Sequence, residues 1–100
     1  MTPEQLRAIM EHLMRQVRLK DEGGVGEVAI EFAPPSAEEA IEAGLDAEGY
    51  KQILASPWWD EMVEDVIETP DMCDPDDPAE QVLQYAKDVV SEYIRKRVEL

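Results

Sequence analysis

The stretch SPWWDEMVEDVIE, residues 56–68, separates its apolar side chains from its acidic ones more cleanly than any other part of the chain. On a helical wheel of about 100° per residue, one half carries only Trp58, Trp59, Met62, Val63, Val66 and Ile67. The other half carries only Asp60, Glu61, Glu64, Asp65 and Glu68. This pattern predicts an amphipathic helix that begins at Ser56-Pro57 and ends at Thr69-Pro70, because proline interrupts helical hydrogen bonding.

A second long helix is expected after this one, from Asp77 towards the end of the chain. Asp77 suits the N-cap position, Pro78 the first helical position, and Glu80 follows three residues after the cap. The apolar side chains of this segment cover half of the helix surface: Ala79, Val82, Leu83, Tyr85, Ala86, Val89, Val90, Tyr93 and Ile94. Such a wide apolar face predicts contact with two or more neighbours, and hence a central position.

The N-terminal segment predicts a third amphipathic helix over residues 3–18. Thr2 and Gln5 form a capping-box pattern around Pro3. The apolar side chains fall within one arc of roughly 140° on the wheel: Leu6, Ile9, Met10, Leu13, Met14 and Val17. The glycine-rich run at residues 21–26 is expected to break this helix.

Residues 28–32 show the alternation typical of a strand, with Val28, Ile30 and Phe32 on one face. A lone strand leaves its hydrogen-bonding groups unpaired, so three arrangements are open. Residues 17–20 could fold back and pair with it at the expense of the first helix, or a second subunit could pair with it. The favoured interpretation is a third one, an extended stretch that packs Ile30 and Phe32 onto helices.

Two short helices are expected between this stretch and residue 56. Ser36 opens the first, which Gly44 closes, and Asp46 caps the second, over residues 47–55. The chain is therefore predicted to be mainly α: a compact bundle of four to five helices, with a possible short β segment or hairpin near residues 17–32. Residues 1–100 are interpreted as a single acidic helical domain, with its first and last helices adjacent.

The net charge of −15 is unevenly distributed. Residues 1–20 carry +2 and residues 81–100 carry +1, whereas residues 21–80 hold 19 acids and one base, or −18. Nucleic acid and anionic membrane surfaces both require basic patches, so neither is an expected partner. A basic protein surface is the expected partner, because opposite charge attracts it.

Localisation and cofactors follow from simple features of the composition. No apolar run approaches the roughly 18 residues of a membrane-spanning helix. The single cysteine, Cys73, cannot form an internal disulfide, which favours a cytoplasmic location. No sequence pattern indicates a cofactor.

Three features of the sequence could carry chemistry: the acidic loop at residues 71–77, Cys73 and His12. The loop at residues 71–77 has four carboxylates, but it lacks the glycine and terminal glutamate of a calcium-binding loop, so no metal site is expected. Acidic neighbours disfavour a reactive thiolate at Cys73. His12 has no partner spaced for a catalytic triad or a zinc cluster. The chain is therefore expected not to be an enzyme.

The sequence favours a small acidic interaction module of adaptor, inhibitor or regulatory type. Its carboxylate-rich face would meet a basic protein partner, which raises the association rate and helps to select the partner. The expected binding residues are Asp60, Glu61, Glu64, Asp65, Glu68, Asp71, Asp74, Asp76 and the aromatic anchor Trp58. The alternative is a structural subunit of a homo-oligomer that buries Phe32, Trp58 or Tyr85, while its acids serve solubility. A small cation-binding protein or enzyme is the remaining option.

Overall fold

The computed structural model describes residues 2–20 and 28–98, which form five helices and a two-stranded sheet. In chain order the elements are α1 (Pro3–Arg15), β1 (Val17–Lys20), β2 (Ala29–Phe32), α2 (Ala37–Glu42), α3 (Ala47–Leu54), α4 (Trp59–Met72) and α5 (Ala79–Arg97). This arrangement confirms the predicted mainly α fold with a short hairpin. The break predicted at residues 21–26 lies outside the described residues.

Three of the predicted helix starts have the expected caps. Thr2 Oγ1 accepts a hydrogen bond from the Gln5 backbone N–H, and Gln5 Oε1 accepts one from the Thr2 N–H. Ser36 Oγ accepts from a backbone N–H at the start of α2, and Asp46 does the same for α3. These side chains satisfy donors that the first helical turn leaves without partners.

The favoured interpretation of residues 28–32 is wrong, and the hairpin alternative is confirmed. β1 and β2 pair antiparallel, with Val17 opposite Phe32 and Leu19 opposite Ile30. α1 therefore ends at Arg15, three residues before its predicted end. Pairing satisfies the backbone groups of both strands, and it turns Val17 and Phe32 together into the core. The stability gained from this pairing and burial outweighs the stability that one more turn of α1 would provide.

The bounds of α4 differ from the prediction at both ends. The helix begins at Trp59, because the hydroxyl of Ser56 donates to the Gln52 carbonyl of α3 and does not cap α4. It continues past Pro70 to Met72. Proline tolerates a helical φ and removes one backbone donor, so the two helical residues Asp71 and Met72 can follow it.

The predicted cap of α5 is also wrong. The helix begins at Ala79, and Pro78, which has no side-chain hydrogen bond to offer, occupies the cap position. The carboxylate of Asp77 instead accepts from the Asp74 backbone N–H. Asp77 therefore stabilises the turn between α4 and α5, where its short side chain finds a nearer donor.

The core is built around α5, as its wide apolar face predicted. α5 contacts α4, α1 and β1, and α4 also packs against β2. The prediction that the first and last helices are adjacent is thereby confirmed. The most deeply buried large side chains come from five of the seven elements: Ile9, Leu13, Val17, Tyr50, Ile53, Met62, Val66, Val90 and Ile94. Within residues 2–20 and 28–98, no helix has the length and apolar character needed to cross a membrane.

The α2–α3 pair is attached to this core through α3, which contacts α1. Tyr50 of α3 is completely buried, and its hydroxyl donates to the Pro35 carbonyl at 2.5 Å. Between the two helices Gly44 has a φ of +86°, a conformation that side chains bearing a Cβ rarely adopt. The hydrogen bond from Tyr50 to Pro35 fixes the chain segment that precedes α2.

Candidate functional site

A groove of about 550 Å³ lies between α4, α5 and the turn that joins them. Four carboxylates and two tyrosines line it together with smaller and apolar side chains. The lining residues are Asp65, Thr69, Met72, Cys73, Asp74, Asp77, Tyr85, Val89, Glu92 and Tyr93. An apolar cleft with a few convergent polar groups is the usual form of a binding site.

The antiparallel packing of α4 and α5 creates this groove. A turn of six residues, 73–78, joins the two helices, so early residues of α4 meet late residues of α5. The Tyr93 hydroxyl donates to the Asp65 carboxylate, and the Tyr93 ring lies 6.2 Å from that of Trp58, centroid to centroid. These contacts fix which side chains of the two helices face each other.

Tyr93 connects the groove to the C-terminal end of α5. The Arg97 guanidinium carbon lies 4.2 Å from the centroid of the Tyr93 ring, within range of a cation–π interaction. The hydrogen bond to Asp65 raises the pKa of Tyr93 to about 12, and burial and the negative charges of Asp65 and Glu61 add to this effect. The phenol therefore keeps its proton at neutral pH and remains a donor to Asp65.

The carboxylates give the groove its negative charge. Among residues 2–20 and 28–98, no lysine or arginine lines the groove or forms an ion pair with Asp65, Asp74 or Glu92. Asp74 and Glu92 are exposed, and Asp65 is half-buried beneath Tyr93. Several negative charges thus surround an apolar floor and create a local negative potential.

The structure divides the predicted binding residues into groups. Asp65 and Asp74 line the groove, and Asp71 lines an adjoining pocket beside Pro75. Glu61 is close enough to affect the pKa of Tyr93. The remaining acids are exposed outside the groove: Asp60, Glu64, Glu68 and Asp76.

Trp58 and Trp59 have different environments. Trp59 is buried in the core, whereas Trp58 is half-buried and packs against Tyr93. Trp58 therefore lies at the edge of the core. Its role as an anchor for a partner stays a prediction.

The sequence pattern did not reveal most of the groove. It assigned Tyr85, Val89 and Tyr93 to the apolar core face of α5, and Asp77 to a helix cap. The available signal was the spacing of Tyr85, Val89 and Tyr93, four residues apart on one stripe, with Glu92 beside it. That spacing alone does not reveal that neighbouring elements leave part of the stripe uncovered. In the structure Tyr85 is 43% exposed.

Neither a metal centre nor a reactive thiol emerges from this geometry. Among the described residues, no three histidine, cysteine or acidic side chains are arranged to hold a metal ion. Burial raises the pKa of Cys73, and the charges of Asp77 and Asp74 raise it further. The thiol form is therefore favoured at neutral pH, which weakens Cys73 as a nucleophile.

Comparisons of the chain with protein-family models, curated proteins and solved structures gave no match. A function is therefore inferred from the features of the chain itself. They are its exposed acids and the groove between α4 and α5.

Proposed function

We propose that this protein is a small, non-enzymatic interaction module of adaptor, inhibitor or regulatory type. Its acidic face, defined as Asp60, Glu61, Glu64, Asp65, Glu68, Asp71, Asp74 and Asp76, binds a basic surface on a partner protein. Trp58 and the groove lie beside this face and supply apolar contact area. The predicted cytoplasmic location is compatible with this role and stays a prediction.

One observation carries the proposal: the acids of α4 other than the half-buried Asp65 are exposed, and they lack basic partners within the described chain. Acids that form a protein's own ion pairs are already neutralised, whereas these carboxylates are available to another molecule. Charged surfaces of this kind accelerate association and discriminate between partners. The same charge repels phosphate backbones and anionic lipids, which favours protein over nucleic acid or membrane.

The surroundings of the acids do not favour catalysis. General acid–base catalysis by carboxylates usually needs burial or a neighbour that separates two pKa values. Glu61, Glu64 and Glu68 are instead exposed on the surface of α4. We therefore propose that their role is electrostatic.

Neutralising the outer acids of α4 tests the proposal. The variant Asp60→Asn, Glu64→Gln and Glu68→Gln removes three charges outside the groove, with little change in side-chain size. Immobilised protein is incubated with cell extract at low and high salt, and the retained proteins are identified by mass spectrometry. We expect a basic protein that is retained at low salt, released at high salt, and reduced about tenfold on the variant, since several charge contacts act together.

A matched control removes three exposed acids from the α2–α3 region: Glu38→Gln, Glu42→Gln and Glu48→Gln. Both variants carry the same net charge, so any difference between them reflects position. Retention of the basic partner should be largely preserved on the control. Equal loss on both variants, or no basic partner at low salt, would contradict the proposed face.

Exposed apolar side chains support a second candidate, the structural subunit of a homo-oligomer. Ile67, Met72 and Tyr85 are 47%, 78% and 43% exposed on α4 and α5. Of the residues predicted for such an interface, Phe32 is excluded, because it is buried in the core of its own chain.

Light scattering of the purified protein separates the two candidates. The interaction module is expected to have the mass of one chain across a wide concentration range. A concentration-dependent dimer that Ile67→Asp or Met72→Asp dissociates would favour the structural subunit. Both sites are exposed, so these substitutions leave the core unchanged.

A further inference from the structure

The lining of the groove is ordered along its length. Because α4 and α5 are antiparallel and Asp65 bonds to Tyr93, Thr69 lies level with Val89, and Cys73 lies level with Tyr85. Eight residues separate Asp65 from Cys73, and the same number separates Tyr85 from Tyr93. At about 1.5 Å per residue, the groove is therefore roughly 12 Å long.

Its two ends are acidic and its middle is apolar. Asp65 and Glu92 lie at one end, and Asp74 and Asp77, in the turn, lie at the other. Between them lie Thr69 and Val89, and the apolar surfaces of Met72 and Tyr85 continue this middle zone towards the turn. The ligand that complements this order has a positive charge at each end and an apolar group between the two charges.

The aromatic side chains add a preference for arginine. The Tyr85 ring has no aromatic or hydrogen-bonding partner within the described chain, and nearly half of its surface is exposed. Tyr93 already carries the Arg97 guanidinium on its ring, which shows that a planar cation stacks well in this part of the molecule. Guanidinium groups both stack on aromatic rings and bind carboxylates with two parallel hydrogen bonds.

We propose that the groove binds an extended segment of the basic partner, with arginine or lysine at its first and fifth positions and an apolar residue at its third. In an extended chain, alternate side chains point to the same face, and four residues span about 13 Å. The three groove-facing side chains therefore match the acidic, apolar and acidic zones in order. This inference rests on the proposed function, since it specifies which segment of the basic partner the protein recognises.

An extended segment fits better than a helix. Four residues of helix rise only about 6 Å, so the first and fifth side chains of a helical segment would not reach both acidic ends of a groove that is roughly 12 Å long. An extended backbone also keeps free N–H groups, which can donate to Asp74 or to the Tyr85 hydroxyl. In a helix those donors are already used.

Capped pentapeptides test the proposal by calorimetry on the full chain. The matching peptide is Arg-Ser-Leu-Ser-Arg, and five residues are too few to form a helix. One control peptide, Ser-Arg-Arg-Ser-Leu, keeps its composition and charge but changes the spacing, and another, Arg-Ser-Ser-Ser-Arg, lacks the apolar residue. We expect the matching peptide to bind about fivefold tighter than either control. Equal affinity for all three peptides, or equal binding of the polyamine spermidine, would overturn the proposal. Either result would show that the groove attracts cations without regard to the spacing of their charges.

Protein variants locate the peptide. Asp74→Asn and Glu92→Gln each remove one charge, from opposite ends of the groove, and should each weaken binding about threefold; Tyr85→Ala should weaken it about fivefold. All three side chains are exposed, so the fold is expected to persist, which circular dichroism checks. The matched control is the α2–α3 variant Glu38→Gln, Glu42→Gln and Glu48→Gln, which lies outside both the acidic face and the groove and should bind the peptide within about twofold of the unmodified chain. Unchanged affinity in all three groove variants would place the peptide elsewhere.

The two proposals fail separately. If the outer acids are irrelevant to the extract partner while the pentapeptide binds in the groove, the acidic face is wrong and the groove is right. If the extract partner depends on the outer acids while the pentapeptides show no preference, the interaction module stands and the groove inference is overturned.

Discussion

The variant Ile94→Ala is expected to unfold at a much lower denaturant concentration than the unmodified chain. Ile94 is completely buried in α5, the helix that contacts α1, α4 and β1. Removing its outer carbons loses buried apolar area and leaves a cavity that several elements would have to close together. The expected loss is about 3–4 kcal/mol, a large part of the about 5–15 kcal/mol by which domains of this size are stable.

Ile67→Ala is the matched control, because it makes the same chemical change on the neighbouring helix. Ile67 is 47% exposed, so less apolar area returns to water and no closed cavity forms. We expect a loss below about 1 kcal/mol. Urea unfolding followed by circular dichroism measures both, and similar losses for the two variants would contradict the central position of α5 in the core.

The second large effect is expected at alkaline pH and centres on Tyr50. Burial raises the pKa of this phenol from 10.0 to about 12, and the charge of Glu39 adds to the shift. A folded-state pKa above the unfolded value means that the neutral phenol favours the folded state. The corresponding stability is complete below about pH 10 and is lost as the pH rises from 10 through 12.

The size of this loss follows from the shift. Two pKa units correspond to at most about 2.7 kcal/mol, and relaxation of the fold around the charged phenolate brings the expected loss to about 1–2 kcal/mol. Above this range the ionised Tyr50 also ceases to donate to the Pro35 carbonyl, leaving that buried acceptor without its partner.

Tyr50→Phe isolates this contribution. At neutral pH the variant should be less stable by about 1–2 kcal/mol, because the Pro35 carbonyl loses its donor. The difference between the two proteins should shrink as the pH rises above 10, since other groups titrate equally in both. Denaturant unfolding at neutral pH and at about pH 11.5 measures it. A stability difference that is the same at both pH values would contradict the claim that burial raises the pKa of Tyr50.

Most of the helices were predictable because their signals are local. The Thr2 capping box and the caps at Ser36 and Asp46 involve side chains and backbone groups only three residues apart. The apolar stripe of residues 58–67 follows the helical period, and Trp59, Met62 and Val66 of this stripe are buried as it indicated. The errors occurred where local signals competed, as at Asp77, which could cap α5 or stabilise the preceding turn.

The candidate site was much less predictable. The sequence located Asp65 and Asp74 as acids and Tyr85 as a large apolar side chain, but it gave no reason to bring them together. Whether a side chain on a broad apolar face is covered depends on the spacing and length of the helices that pack against it. Tyr85 remains exposed because the groove between α4 and α5 is left open at its level.

By itself, the sequence determined the helical class, the approximate helix bounds and the surplus of acids, since these depend on periodicity and composition. Only the tertiary structure decided that Val17–Lys20 leaves α1 to pair with Ala29–Phe32, and that Asp65 meets Tyr93. The paired residues of β1 and β2 lie 9 to 15 positions apart and Asp65 lies 28 positions from Tyr93, so their contact depends on the packing of whole elements. Interactions over such separations are decided by the combined burial and hydrogen bonding of the fold, which no short window of sequence contains.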